Sequence, residues 1–301
     1  MKKILATLLM AFALTAQAKE TITIIYGFSA ADNVANYSRI LADEANKLQD
    51  RYTFIFDVRP GAGQVVAVNH VKSTPDTIFM TSGAFWVRPN FYPNESYNVN
   101  DFKTIMTQCS TPFSVASVKY KSWNDIPKDK ELTIATSGLG VVSHLTATQI
   151  RTRFPKLTVV PFKSTTDAIL AVAGGQVDLG VGFLGDLERW TSESSRVKLT
   201  ILGVTGPTPI GPYANLSSQG FPAVFSKMNT THNLMIPTSW SKEKSHEIRE
   251  ILVKAEQSRT VRNAYKLDYC DPLQIPENKL QSWFDEQNAL WSGLTVGVKI
   301  E

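Results

Sequence analysis

The residues best suited to chemistry lie together in one short segment, SGLGVVSHL, at positions 137–145. Gly138 and Gly140 precede an adjacent pair, Ser143 and His144. A serine and a histidine could form a nucleophile and its base, whereas a glycine loop ahead of a helix could bind phosphate or another anion. The surrounding residues decide between these chemistries and a loop that has no chemical role.

The pattern around Ser143 does not favour a serine hydrolase. An α/β-hydrolase places its serine in G-x-S-x-G, but Val141 and Leu145 stand where the two glycines are needed. Residues adjacent in sequence also do not pair as nucleophile and base, because the fold brings the members of a triad together. A secreted hydrolase is therefore the less favoured alternative, and His144 is expected to have a structural role.

Phosphate-loop and metal chemistry find no better support in the sequence. A P-loop requires a lysine after its last glycine, and Gly140 is followed by valine. A zinc protease requires H-E-x-x-H, but His246 and Glu247 are followed by Ile-Arg-Glu. The histidines are scattered and the two cysteines are far apart, so we expect neither a metal site nor a cofactor.

The segment fits an anion-binding loop better. It lies between a predicted strand at 132–136 and a helix with Leu145, Ile150 and Phe154 on one face. The first N–H groups of a helix are unpaired and carry partial positive charge, and glycines let a ligand approach the backbone. Ser143 is a candidate N-cap of this helix. We therefore predict a carboxylate site here, with a plain strand-to-helix connection as the alternative.

Three other strand ends could contribute to the same site. The segment FSAADN at 28–33 follows a strand and offers Asp32 and Asn33 as helix caps. RPGAGQ at 59–64 again places glycines between a strand and a helix, although it could form only a tight turn. Ser82 follows another strand, where a simple turn is also possible. Loops at the carboxyl ends of strands commonly converge on one ligand, so we expect one small anion between them.

The hydrophobic pattern predicts an α/β protein of two lobes, each a mostly parallel sheet flanked by helices. The first series of strands is predicted at 21–26, 52–58 and 77–81, with helices from Asn33 and over 64–72. The second series is predicted at 132–136, 157–162, 176–183 and 197–204, with a helix at 165–173 ended by Gly174 and Gly175. Segments 113–118 and 233–236 are candidate crossover strands between the lobes, and a last helix begins near Ser241.

Residues 1–18 predict export from the cytoplasm. They contain two lysines, an apolar run and an A-x-A site ahead of Lys19, as a secretory signal does. The run is too short to span a bilayer, which takes roughly 20 residues, and a retained anchor is the alternative. In an oxidising compartment Cys109 and Cys270 could form a disulfide or remain two buried thiols. The net charge of +4 is spread along the chain, which argues against a nucleic-acid partner.

Several motifs in fixed order resemble those of a known family. They are RPGAGQ followed by VVAVNHV, SGLGVVSHL, VPFKSTTDAILAVAGGQVDLGVG, LGVTGPTPIG and SQGFP. Phe28 and Arg39 also keep the spacing of the family's first loop and helix. From about residue 21 to 295, the chain is similar to the substrate-binding proteins of tripartite tricarboxylate transporters, the Bug or TctC-like periplasmic receptors.

The resemblance implies a receptor that closes two lobes on a small organic carboxylate and delivers it to integral membrane transporter subunits. A ligand-sensing receptor for a signalling partner is the alternative. The chain would then be periplasmic, monomeric and not an enzyme, with one lobe formed by 19–112 plus 232–301 and the other by 113–231. The predicted ligand contacts are Phe28, Ser29, Asn33, Gly61, Gly63, Ser82, Ser137, Gly138, Gly140 and Ser143, joined by Lys163, Thr165 and Asp186 from the second lobe.

The first loop departs from the family's pattern. Where the family has GG-x-T-D, this chain has Ala31, Asp32, Asn33, Val34 and Ala35. Gln64 replaces the last glycine of PGAGG, and Ser164 replaces a glycine after lysine. Citrate therefore does not follow as the ligand, and we expect a differently shaped pocket in which Asp32 could meet a donor group of the ligand.

Overall fold

Two β-sheets form the framework of the chain in the computed structural model, which describes residues 19–192 and 195–299. The strands are β1 (Glu20–Tyr26), β2 (Tyr52–Val58), β3 (Thr77–Thr81), β4 (Phe102–Thr111), β5 (Phe113–Ser117), β6 (Leu132–Thr136), β7 (Leu157–Pro161), β8 (Leu179–Phe183), β9 (Thr200–Val204), β10 (Thr230–Pro237) and β11 (Asp271–Pro272). The first sheet has the order β11-β4-β10-β3-β1-β2, and the second has the order β7-β6-β8-β5-β9. We call each sheet with its packed helices a lobe.

Helices cover both sheets. They are α1 (Asn33–Lys47), α2 (Val65–Ser73), α3 (Ala84–Phe91), α4 (Val142–Ile150), α5 (Thr165–Ala173), α6 (Leu184–Glu188), α7 (Lys242–Glu256), α8 (Arg259–Leu267) and α9 (Leu280–Thr295). None of these helices, within the ranges given above, is long and apolar enough to cross a membrane. The predicted secretory signal at 1–18 lies outside the described residues.

In the first lobe, β1 lies between β2 and β3 and runs parallel to both. Ile22, Ile24 and Ile25 of β1 are fully buried, as expected for a strand covered by helices on both faces. The strands predicted at 21–26, 52–58 and 77–81 are thereby confirmed. The antiparallel strands β10, β4 and β11 extend this sheet, so it is mixed rather than mostly parallel.

In the second lobe, β6 runs parallel to β7 and β8, and β5 joins antiparallel to β8 and β9. The strands predicted to start at 176 and 197 begin only at Leu179 and Thr200. The first is shortened because Gly175, with φ of 70°, ends α5 as a glycine C-cap does, and the chain needs the next residues to turn. The α/β class predicted from the sequence is confirmed.

Two connections link the lobes. Only Pro112 separates β4 of the first sheet from β5 of the second, and β10 returns the chain to the first sheet beside β4. Thr205, just after β9, ties these connections together, because its backbone N–H donates to Phe113 O at 2.8 Å and its hydroxyl accepts from Phe113 N. The lobe boundaries predicted at 112 and 231 lie close to these crossings and stay a prediction.

A disulfide joins Cys109 of β4 to Cys270, which precedes β11. The two residues are 161 positions apart in sequence, and their Cα atoms are 5.3 Å apart. Both side chains are buried. The bond fixes the segment between α8 and β11 to the first sheet, next to Asp268.

Candidate functional site

A small cavity lies between the lobes, where strands of both sheets end. We call it the inner cavity. It is lined by Tyr26, Phe28, Ser82, Ala84 and Phe113, and by Ser137, Val141, Val142, Ser143, Thr165 and Phe183. Its volume of about 10 Å³ suffices for roughly one water molecule, so the lobes must separate before a larger ligand can enter.

The SGLG loop, Ser137–Gly140, meets the inner cavity at Ser137 and the outer cleft at Gly138 and Leu139, while Val141, Val142 and Ser143 after it line the inner cavity. Gly138 and Gly140 have φ of 133° and 68°, a conformation that other residues rarely adopt. This turn brings the chain from the end of β6 to the start of α4, whose first residues Val142 and Ser143 line the inner cavity, and the first N–H groups of a helix have no partner within it. The tight strand-to-helix turn is present as the glycines predicted, and the carboxylate site itself stays a prediction.

Ser143 does not cap α4. The N-cap is Val141, and Ser143 lies within the first turn. Side chains of a helix point toward its N-terminus, which directs the Ser143 hydroxyl back to β6. There its Oγ accepts from Ser137 N at 3.1 Å and lies 2.9 Å from Ser137 Oγ. The N-cap prediction is thus wrong, but the two serines form a hydroxyl pair in the wall of the cavity.

His144 supports the loop rather than a nucleophile. Its Nδ1 accepts a hydrogen bond from Gly140 N at 3.2 Å, so the ring proton is on Nε2. Phe91 of α3 contacts the ring edge-on, with 6.2 Å between centroids. Burial, with a smaller contribution from the charge of Arg151, lowers the pKa of His144 to about 4. A neutral histidine whose Nδ1 accepts from the loop backbone agrees with the structural role expected from the sequence.

A larger opening, the outer cleft, leads from the solvent to the same loop. Its volume is about 1140 Å³. The predicted contact residues that line it are Gly61, Gly63, Ser137, Gly138 and Lys163. The cleft is also lined by Arg88, Tyr92, Leu139, Phe162 and Asp167. Ser137 lines both spaces, so the outer cleft and the inner cavity adjoin at this residue.

Gln64 explains one departure from the family's pattern. Its side chain is buried, and its Oε1 accepts from the hydroxyl of Thr81 at 3.0 Å. A Cβ added to Gly27 would lie 2.3 Å from the Cβ of Gln64, so Gly27 gives the space that Gln64 occupies. Gln64 therefore joins the ends of β1 and β3 beneath the first loop.

A buried polar cluster, the acidic junction, connects the lobes beside the inner cavity. The hydroxyl of Thr166 donates to Asp32 Oδ1 at 2.8 Å, and Tyr26 donates to its other oxygen. The backbone N–H of Asn33 donates to Asp186 Oδ1 at 3.3 Å, while the Asn33 amide donates to Asp268. Asp32 thus contacts protein donors of both lobes rather than a free site for a ligand donor.

The carboxyl groups of the acidic junction have raised pKa values. Burial raises the pKa of Asp32 to about 6, although the hydrogen bonds from Thr166 and Tyr26 oppose the shift. Burial and the neighbouring Asp268 carboxylate raise the pKa of Asp186 well above its ordinary value. Burial also raises the pKa of Asp268, against the hydrogen bond from Asn33. At neutral pH the junction therefore retains protons that exposed carboxyl groups would have lost.

The structure divides the predicted contact residues into five groups. Phe28, Ser82, Ser143 and Thr165 line the inner cavity, Ser137 lines both spaces, and Gly61, Gly63, Gly138 and Lys163 line the outer cleft. Asn33 and Asp186 belong to the acidic junction. Ser29 and Gly140 line neither space, because Ser29 Oγ accepts from Ala31 N and Gly140 donates to His144.

Sequence reasoning missed the aromatic part of the inner cavity. Tyr26, Phe113 and Phe183 line it, and the Phe113 and Phe183 rings lie 4.7 Å apart between centroids. These residues end or begin buried strands, where an aromatic side chain is expected to belong to the hydrophobic core. The only available signal was their position at strand termini, the edge of the sheet where ligands bind.

Two mixed sheets joined by crossover strands, with a cavity between their strand ends, define a two-lobed periplasmic binding protein fold. The sequence of residues 37–218 matches the tripartite tricarboxylate transporter family receptor, more than half of the chain. The protein belongs to this family, and the resemblance inferred from its motifs is confirmed. A search of curated protein sequences finds no match.

Solved structures share the fold along nearly the whole chain. Periplasmic binding protein BugD is 20% identical, with a TM-score of 0.80 over 94% of this chain and 99% of its own. A Rhodopseudomonas palustris protein with adipate is 17% identical, with a TM-score of 0.81 over 93% and 97%. MatC from R. palustris with bound malate is 16% identical, with a TM-score of 0.78 over 91% and 98%.

Proposed function

We propose that the protein captures a small organic carboxylate in the inner cavity and passes it to the membrane subunits of a tripartite tricarboxylate-type transporter. The family match supports the receptor role, and a predicted signal at 1–18 supports a periplasmic location. Relatives in fold hold adipate and malate, both of which are dicarboxylates. The receptor binds and releases its ligand without changing it.

The observation that carries this proposal is the segment from Ser137 to Ser143, which lines the inner cavity with Ser137, Val141, Val142 and Ser143. It combines two positive-φ glycines, the start of α4 and the hydroxyl pair of Ser137 and Ser143. These groups supply N–H and O–H donors, which an anion needs. The residues that line the inner cavity include no lysine or arginine, so the carboxylate is held by dipoles rather than by a charge pair.

Ligand capture requires the lobes to move. An inner cavity of about 10 Å³ cannot hold even a small dicarboxylate, so the lobes of the ligand-bound protein stay somewhat further apart than in the described structure, which is closed more fully. We infer that the ligand enters through the outer cleft while the lobes are apart, and that contacts to both lobes then favour closure. Such a ligand shifts the population from the open arrangement toward this ligand-bound, nearly closed one, because it binds the latter more tightly.

A thermal-shift screen of small mono-, di- and hydroxycarboxylates tests the function. A true ligand at a hundredfold excess over its Kd stabilises the folded protein by about 2.7 kcal/mol, which raises the melting temperature. The matched control for each acid is its neutral amide, which has a similar size but no carboxylate. A melting temperature that rises with the acid but not with its amide supports the proposal. A rise with the amide alone, or no rise with any compound, contradicts it.

Replacing Ser143 by alanine is expected to weaken binding of the acid found in that screen about tenfold. The change removes one hydroxyl from the cavity wall and leaves Ser137 N without its partner, a loss of about 1–2 kcal/mol. The measurement is isothermal titration calorimetry. Thr146→Val is the control, since Thr146 lies in the same helix and bonds only Val142 O. An unchanged Kd for Ser143→Ala, or turnover of ester substrates that it abolishes, would contradict a binding role.

A further inference from the structure

Arg88 of α3 makes a hydrogen bond across the cleft between the lobes. Its Nη1 donates to the carbonyl oxygen of Leu139 at 3.1 Å. Arg88 belongs to the first lobe, because α3 packs against α9, whereas Leu139 belongs to the SGLG loop of the second. This bond can form only when the two lobes are together.

The Arg88 side chain is held in place before the lobes meet. Its Nε donates to Glu95 Oε2 at 2.5 Å, and the guanidinium lies over the Tyr92 ring at 4.2 Å from the centroid. Both charged side chains are largely buried, with 12% and 10% of their surfaces exposed. All of these partners belong to the first lobe, so little side-chain entropy is lost when Nη1 meets the loop.

Gly63 completes the contact between the lobes. A Cβ at Gly63 would lie 3.1 Å from Arg88 Nη1, 3.1 Å from a Val141 methyl and 3.6 Å from Leu139 O. The absence of a side chain therefore lets the PGAG loop, Arg88 and the SGLG loop meet at one point. This gives the second glycine of PGAG a role in closure that is separate from direct contact with a ligand.

The Leu139 carbonyl belongs to the same peptide unit as the Gly140 N–H. Arg88 binds the carbonyl end of this unit, and His144 Nδ1 accepts from the N–H end. The peptide plane is thus held from both sides, by a residue of each lobe. Its orientation sets the direction in which the neighbouring N–H groups at the start of α4 point.

We propose that Arg88 is a positioning residue for the ligand: on closure it fixes the Leu139–Gly140 peptide, against His144, and so holds the SGLG loop in its binding conformation. This inference rests on the proposed carboxylate capture. Arg88 does not have to touch the ligand, because Glu95, Tyr92 and Leu139 engage its guanidinium. Its contribution comes after the first encounter, so it slows release of the ligand.

The test compares ligand release from Arg88→Lys and Arg88→Met with release from the unmodified protein, using stopped-flow with the best acid of the thermal screen. A charge-assisted hydrogen bond corresponds to roughly a 10- to 100-fold effect. We expect koff to rise by that factor in both variants, with kon within about threefold of the unmodified protein. Lysine keeps the charge beside Glu95 but lacks the planar fork that binds two partners.

Arg51→Met is the matched control. Arg51 also pairs with a glutamate, Glu247, and lies over a tyrosine ring, Tyr52, but all three residues belong to the first lobe. Because breaking the buried pair destabilises the fold, Arg88→Met combined with Glu95→Gln is measured as well. Equal koff values for the Arg88 variants and Arg51→Met would overturn the inference.

A double-mutant cycle tests the shared peptide directly. If Arg88 and His144 hold the same peptide unit, Arg88→Lys and His144→Leu affect koff non-additively, and the double variant releases ligand no more than about threefold faster than the faster single variant. If the effects of the two substitutions on koff multiply fully, Arg88 and His144 act independently, which would contradict the inference. If no acid binds even the unmodified protein, the proposed function itself fails, and that result differs from an acid that binds all variants equally.

Discussion

Replacing Cys109 and Cys270 together by alanine is expected to lower the free energy of unfolding by about 5 kcal/mol. The disulfide closes a loop of 161 residues, and the unfolded chain gains most entropy when so long a loop is opened. Alanine is used rather than serine because both cysteines are buried, and a serine hydroxyl there would have no hydrogen-bond partner. The bond also ties the C-terminal segment to β4, where β11 contributes only two residues to the sheet.

The measurement is urea unfolding followed by far-UV circular dichroism, with and without reductant. The unmodified protein is expected to lose a similar amount of stability when it is reduced in urea, whereas the double alanine variant should not respond to reductant. That comparison separates the cross-link from the packing of the two side chains. A loss below about 1 kcal/mol in the variant would show that the loop is already ordered in the unfolded chain.

The sequence predicted this bond only as one of two possibilities, and the reason is physical. The signal at 1–18 indicates an oxidising compartment, but a disulfide also needs two Cα atoms within about 7 Å. That distance depends on β10 and the C-terminal helices returning to β4, which local patterns do not encode. The strands themselves were predictable, because Ile22, Ile24 and Ile25 make a short apolar run in any context.

In the candidate site, too, local features were predictable from the sequence and contacts between distant residues were not. The glycines of the SGLG loop and its place between β6 and α4 are local features, and they predicted the tight turn that the structure shows there. The role of Ser143 was mistaken because capping depends on where the helix begins, a boundary that shifts by one or two residues. Contacts such as Arg88 with Leu139 and Thr166 with Asp32 join residues far apart in sequence. Those contacts exist only once the lobes meet.

Asp186→Asn is expected to become increasingly stabilising, relative to the unmodified protein, as the pH rises from 5 to 7. Burial and the Asp268 carboxylate raise the pKa of Asp186 in the folded state well above its ordinary value. In this range the folded protein therefore keeps a proton on Asp186 that the unfolded chain has released. Because the folded state binds more protons, stability falls as the pH rises, and asparagine removes that dependence.

The expected slope is on the order of 1 kcal/mol per pH unit over the range in which the folded protein alone keeps the Asp186 proton. Asparagine keeps the acceptor for Asn33 N, and its amide N–H groups imitate the proton of the neutral acid. Comparing the variant with the unmodified protein at each pH cancels the titration of groups that do not interact with Asp186. These include His144, whose lowered pKa changes stability in the opposite direction over pH 4 to 6.5.

The measurement is urea unfolding at pH 5, 6 and 7 and constant ionic strength, with Asp178→Asn as the matched control. Burial opposes ionisation of Asp178, but hydrogen bonds from Lys119 and Thr133 prevail and lower its pKa. Asp178 is therefore ionised in both states above pH 5, and its variant should show a constant difference. A constant difference for Asp186→Asn as well would mean that Asp186 is ionised in the folded protein. The acidic junction would then join the lobes through a charged carboxylate and Asn33 rather than through a retained proton.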